Sequence, residues 1–203
     1  MRIRYKTALA TLALASLLQA QESRPATPQP TPTKEQLAVY AAFIPEYTKG
    51  ADFQLVVADQ AVPIKLADLA NDACVRLAKF VTEQPEGTLQ MLGPEFQKLG
   101  KIKLVEPKRQ STLIRHNDPS AHARDSAERG RPVTEKDIET WSKKAYQSGM
   151  LTVSMVKFDT TRRLALVEYT FECGARCGYG GLMLFENVKG KWVKKKNCPT
   201  WIS

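Results

Sequence analysis

Cysteine and glycine gather in one stretch, Cys173-Gly174-Ala175-Arg176-Cys177-Gly178-Tyr179-Gly180-Gly181. Two thiols at this spacing can close a small disulfide ring, hold a metal or carry redox chemistry. A redox pair favours Cys-x-x-Cys at a helix start, where the thiolate is stabilised. Zinc wants further cysteine or histidine ligands, and no histidine lies near. The spacing therefore predicts a structural staple on a hairpin tip, with no metal and no cofactor. The glycines permit positive φ and close backbone approach, which predicts a shaped loop. Cys173, Gly174, Arg176, Cys177, Gly178 and Tyr179 are the candidate binding residues.

The other reactive side chains form no constellation. His116 and His122 are six apart, off a common helical face. Asp59 and Glu168 can act as acid and base only if the fold brings them together. There is no paired His/Glu metal motif, no phosphate-cradling loop ahead of a helix and no nucleophile-elbow serine. This favours a binding or interaction module over an enzyme. The alternative is a small hydrolase-like or isomerase-like enzyme with its pocket in a concave sheet, lined by Tyr169, Glu168 and Asp59. An inhibitor that presents the stapled loop to the cleft of a cell-wall enzyme is a third reading.

The first twenty residues point to export. Arg2, Arg4 and Lys6 precede a short apolar run, Thr7 to Leu18, and Leu18-Gln19-Ala20 suits cleavage after Ala20. The run is too short for a comfortable bilayer span, so no membrane span is expected in the mature, periplasmic or extracellular chain. An oxidising compartment makes disulfides of the four cysteines. Cys173–Cys177 would close a hairpin tip, and Cys74–Cys198 would tie the C-terminal tail to a helix. Net charge is +9 for the whole chain, and +6 (9 − 3) without residues 1–20. The charge is spread rather than clustered with aromatics, which argues against nucleic acid. An acidic ligand or an envelope protein is the expected partner.

The positioning elements follow from spacing. Residues 21–33 carry Pro25, Pro28, Pro30 and Pro32 and read as a disordered or polyproline linker. Residues 34–203 then form a single domain. Thr33 and Gln36 make a capping box, followed by a helix with Leu37, Tyr40, Ala41 and Ile44 on one face, ended or kinked at Pro45. Phe53–Ala58 reads as a strand, with a turn at Asp59-Gln60. Leu66–Val81 is a helix with Cys74 in its apolar stripe. Residues 84–100 are broken into turns and one short helical piece, and Lys101–Glu106 is an edge strand. Residues 107–132, with six arginines and lysines and both histidines, read as a flexible basic loop that recruits an acidic ligand or is simply solvated. Thr134 and Asp137 start a helix that puts Ile138, Trp141 and Ala145 on one face and ends at Gly149. Leu151–Phe158, with a bulge at Met155-Val156, opens a four-strand C-terminal meander. The fold class is α+β: N-terminal helices packed on one side of a mostly antiparallel β-sheet.

The C-terminus resembles an uncharacterised exported bacterial protein family whose ends follow the pattern Cys-Gly-x-x-Cys-Gly-x-Gly, an apolar strand, Gly-x-Trp, then Trp-(Val/Ile)-Ser. The matching positions are Cys173, Gly174, Cys177, Gly178 and Gly180, Leu182 to Phe185, Gly190 and Trp192, and Trp201-Ile202-Ser203. Val153 to Asp159 is similar to the preceding strand of that family, and Cys198 departs from the pattern. The resemblance covers the last quarter of the chain and implies no activity. A likeness to cone-shaped α+β folds with N-terminal helices on a curved sheet is one of fold alone.

Overall fold

The computed structural model describes residues 29–49, 53–64, 80 and 88–202. Its framework is a mixed sheet in the order β4-β1-β5-β7-β8-β9, with β6 also paired to β7. The antiparallel part comprises β5 (Met150–Val153), β6 (Lys157–Phe158), β7 (Leu164–Gly174), β8 (Cys177–Val188) and β9 (Lys191–Ile202). β1 (Leu55–Ala58) runs parallel to β4 (Ile102–Val105) and to β5. The molecule is α+β with a mostly antiparallel sheet and a C-terminal meander. β4 is the expected edge strand, and Lys103 on it discourages further pairing.

Alternation along β7 divides the core. Ala165, Val167, Tyr169, Phe171 and Cys173 face the main cluster, while Leu166 packs with Leu182, Leu184 and Ile64 on the other face. α1 (Lys34–Thr48) covers the main face with Val39, Tyr40, Phe43 and Ile44, joined by Phe96 of the short α2 (Pro94–Gln97). The Tyr40 hydroxyl donates to the Ser154 carbonyl at 2.7 Å inside this core. The predicted capping box is present: the Thr33 hydroxyl accepts from Gln36 N at 3.2 Å, and Gln36 Oε1 accepts from Thr33 N at 2.8 Å.

Two expectations for α1 and its surroundings are corrected, at Ala41 and at residues 60–61, and of the two outcomes expected at Pro45 the helix end is not taken. Ala41 faces solvent, and Val39 and Phe43 occupy the buried stripe in its place. Pro45 lies inside the helix, which continues to Thr48. The Pro45 ring sits on the exposed side, so the carbonyl that loses its donor there can turn to water. Residues 60–61 form β2, paired with β3 (Gln90–Met91), rather than completing a turn. The end of the proline-rich segment is docked as well, since Met91 N donates to the Pro30 carbonyl at 2.9 Å. Residues 1–28 and 65–79, which include the expected leader, most of the linker, most of the second predicted helix (Leu66–Val81) and Cys74, lie outside the described residues.

The largest departure is at 107–132, which is helical rather than a loop. α3 (Pro107–His116) begins at Glu106, whose carboxylate accepts from Lys108 N and Arg109 N at 2.9 and 2.7 Å. α4 (Pro119–Glu128) begins in the same way at Asp118. In both, an acidic N-cap precedes proline at the first helical position, where its missing N–H costs nothing. Polar sequence suffices because each helix buries so little: Gln110 and Ile114 on α3, and Ser126 on α4. Ile114 packs with Ala58 and Met150 on the face opposite the main core, so helices cover both faces of the sheet.

α5 (Glu135–Ser148) starts at Thr134 as predicted, and Thr134 and Asp137 form a capping box there. Ala145 is its buried residue, Trp141 is half-buried, and Ile138 is 53% exposed, contrary to the expected common face. The bulge expected at Met155-Val156 is a full interruption between β5 and β6. There Ser154 bridges to Val62, and Met155 N donates to the Val62 carbonyl.

Candidate functional site

The staple forms as expected. A disulfide joins Cys173 and Cys177 across the β7–β8 hairpin tip, with the Cα atoms 5.0 Å apart. Cys198 is disulfide-bonded too, and its expected partner Cys74 is outside the described residues. The tip is docked against the α3–α4 corner: Asp118 Oδ2 accepts from Ala175 N at 3.3 Å, while its Oδ1 accepts from Ser120 N at 3.0 Å. Cys173 and Gly178 are buried and Gly174 and Cys177 half-buried, so of the six candidate residues only Arg176 and Tyr179 offer an exposed side chain.

The glycines mostly serve close approach. A Cβ on Gly180 would lie 2.5 Å from Trp201 Nε1, and one on Gly178 would lie 3.3 Å from Trp201 Cη2. The indole of Trp201 thus lies flat over a strip of β8 that has no side chains.

The opposite face of the same hairpin carries aromatic rings. Phe171 and Tyr179 are paired across β7 and β8, with ring centroids 5.4 Å apart. Tyr146 from the end of α5 stacks on Phe171 at 6.1 Å with an 11° interplanar angle. Tyr47 from the last turn of α1 stacks on Tyr179 at 6.3 Å and 20°, and the two hydroxyls share a 2.8 Å hydrogen bond. With Phe53, which leads into β1, these four rings border a cleft of about 500 Å³ at one end of the sheet. Phe53, Tyr146 and Tyr179 are 50%, 60% and 36% exposed, so their faces are open to an occupant.

Two local features shape the cleft. Gly149 joins α5 to β5, and Phe171 lies against it where any Cβ would intrude. Behind Tyr47, Phe43 stacks at 5.6 Å and Tyr169 meets it edge-on at 5.5 Å. Burial, then the hydrogen bond to Tyr179, pushes the Tyr47 phenol far above its ordinary value. Burial also raises Tyr169, against a hydrogen bond with Asn197 that lowers it. These phenols therefore stay neutral through the ordinary pH range. They can stack and hydrogen-bond without acting as bases.

The acid–base alternative is not assembled at this cleft. Asp59 follows β1 and Glu168 lies within β7, with β5 between those strands. Burial and the neighbouring Glu106 raise the Asp59 carboxyl. The Glu168 amide is bound to Ser154 Oγ at 2.9 Å. The described residues that line the cleft include no carboxylate or histidine. His116 ends α3, and His122 stacks on Trp141 at 5.5 Å, with the Arg131 guanidinium 6.0 Å from the same ring. Among the described residues no group of three His, Cys, Asp or Glu side chains could hold a metal ion.

Sequence reasoning reached Tyr179 but missed Tyr47, Phe53, Tyr146 and Phe171 as parts of one site. Phe171 shares its strand face with Ala165, Val167 and Tyr169. The others come from three further segments that no local spacing connects. No family model matches the chain, and neither does any curated protein or solved structure.

Proposed function

We propose that this chain is an exported, disulfide-stapled binding module whose ligand site is the aromatic cleft beside the staple. The observation that carries this reading is the open cleft itself. Five aromatic side chains from five segments border it, and three of them keep a third or more of their surface exposed. Rings left in water when a core is available favour an apolar occupant. The staple supports the reading, because Phe171 and Tyr179 stand two residues outside Cys173 and Cys177 and share their hairpin. The disulfide suits an oxidising compartment. No helix among the described residues is long and apolar enough to cross a membrane, which accords with a leader-directed product. An envelope location would make a periplasmic or extracellular small molecule the natural ligand.

The test uses N-phenylnaphthylamine, a neutral aromatic probe whose fluorescence rises when it leaves water. The wild-type protein should bind it saturably, and Tyr146→Ala should weaken binding about fivefold through the loss of one stacking face. Tyr146 is exposed, so the variant should fold. Probe binding that ignores Tyr146→Ala would remove the cleft as the site.

A further inference from the structure

The cleft has a polar annexe. On the opposite side of the β1 entrance, a groove of about 260 Å³ runs between β4, α3 and α5, and it shares Val56 and Gln147 with the aromatic cleft. Its polar lining is cationic and neutral: Lys103 and Lys144 with Gln110, Asn117, Gln147 and Ser148. Lys103 sits beside Val56 in the parallel β4–β1 pairing, and Lys144 lies one turn before Ser148 at the end of α5. Both lysines are exposed, and neither has an acidic partner among the described residues, whereas Lys98, Arg129, Arg131, Arg162, Lys194 and Lys195 all do. No carboxylate lines the groove among the described residues.

Two unpaired ammonium groups facing one groove create a local positive potential, and the groove walls focus it. An anion there would satisfy both lysines and would find amide donors alongside. The neighbouring aromatic faces accept no charge but take up an apolar body. The cleft and groove share Val56 and Gln147 in their walls, and a molecule that spans both subsites passes the start of β1 there.

We propose that the ligand is a small amphipathic anion, with an aromatic or other apolar body in the cleft and one carboxylate, sulfonate or phosphate on Lys103 and Lys144. This rests on the cleft being the binding site. It adds a head-group subsite that the cleft alone does not require.

The experiment compares two probes with nearly the same ring system on the full folded chain with its disulfides intact. Anilinonaphthalene sulfonate carries an anion, and N-phenylnaphthylamine does not. The quantity read is the ratio of the two affinities, in wild type and in Lys103→Gln/Lys144→Gln. The wild type should prefer the sulfonate. The double variant should lower the ratio about tenfold, the size expected for losing two exposed charge contacts, and added salt should lower the wild-type ratio in the same direction. If both probes bind and the double variant leaves the ratio where it was, the head-group subsite is overturned while the cleft reading stands. If neither probe binds, or Tyr146→Ala affects neither, the cleft reading falls and the subsite falls with it.

Discussion

Replacing Gly149 with alanine tests whether the cleft wall is built as described. The residue has φ −59°, a conformation that alanine adopts freely. The backbone is therefore not the obstacle, and lower chain entropy in the unfolded state would by itself stabilise the variant by about 0.4–1 kcal/mol. Packing acts the other way. The new Cβ would lie 2.7 Å from Phe171 Cε2, nearer still to Cζ, and 3.1 Å from the Glu172 carbonyl oxygen. Carbon atoms in good contact sit about 3.5–4.0 Å apart, so the ring must move by roughly an ångström. Tyr146 stacks on that ring and Tyr179 stands 5.4 Å away, and the carbonyl belongs to paired β7. Over-packing of this kind costs about 1–3 kcal/mol, and the net loss should be about 1–2 kcal/mol. Urea unfolding followed by tryptophan fluorescence would measure it. The clash is specific to one ring, so Phe171→Leu should relieve part of it. The double-mutant cycle should show a coupling of at least about 0.5 kcal/mol, beyond what independent sites give. Wild-type stability in Gly149→Ala, or strict additivity with Phe171→Leu, would refute the assigned contact.

Two further outcomes follow from buried polar contacts. Tyr40→Phe should cost about 1–2 kcal/mol in the same assay, because the buried Ser154 carbonyl loses its donor; an unchanged unfolding midpoint would show that the carbonyl finds another partner. At Asp159 burial disfavours the charge. Hydrogen bonds from the Thr161 hydroxyl and the Leu164 and Arg163 amides together outweigh it and hold the carboxyl below its ordinary value. A depressed folded-state value stabilises the fold above the unfolded-state value, about 3.9, and that contribution is lost as pH falls through the lower folded-state value. Asp159→Asn should therefore flatten the acid limb of stability below about pH 4, and a limb identical to wild type would contradict this role for the carboxylate.

Some of the molecule is written in short-range spacing. Hydroxyl and amide or carboxylate three residues apart start α1 at Thr33 and α5 at Thr134, since a capping box needs no partner beyond its own turn. The Lys189-Gly190 turn and the period-two burial of β7 are equally local. The helices at Pro107 and Pro119 were legible by the same logic, because an acid followed by proline is a start signal. Their few apolar residues hid it. The staple followed from cysteine spacing and compartment. Tertiary structure alone decided the site. Tyr47, Phe53, Tyr146, Phe171 and Tyr179 become neighbours only when α1, α5 and the β7–β8 hairpin converge on the start of β1. Such convergence depends on long-range packing, which no window of sequence contains. The same holds for the side on which each helix lies and for the pairing of Lys103 with Lys144 across one groove. Propensity can say that a segment turns or extends, but only burial of the shared core determines which segments end side by side.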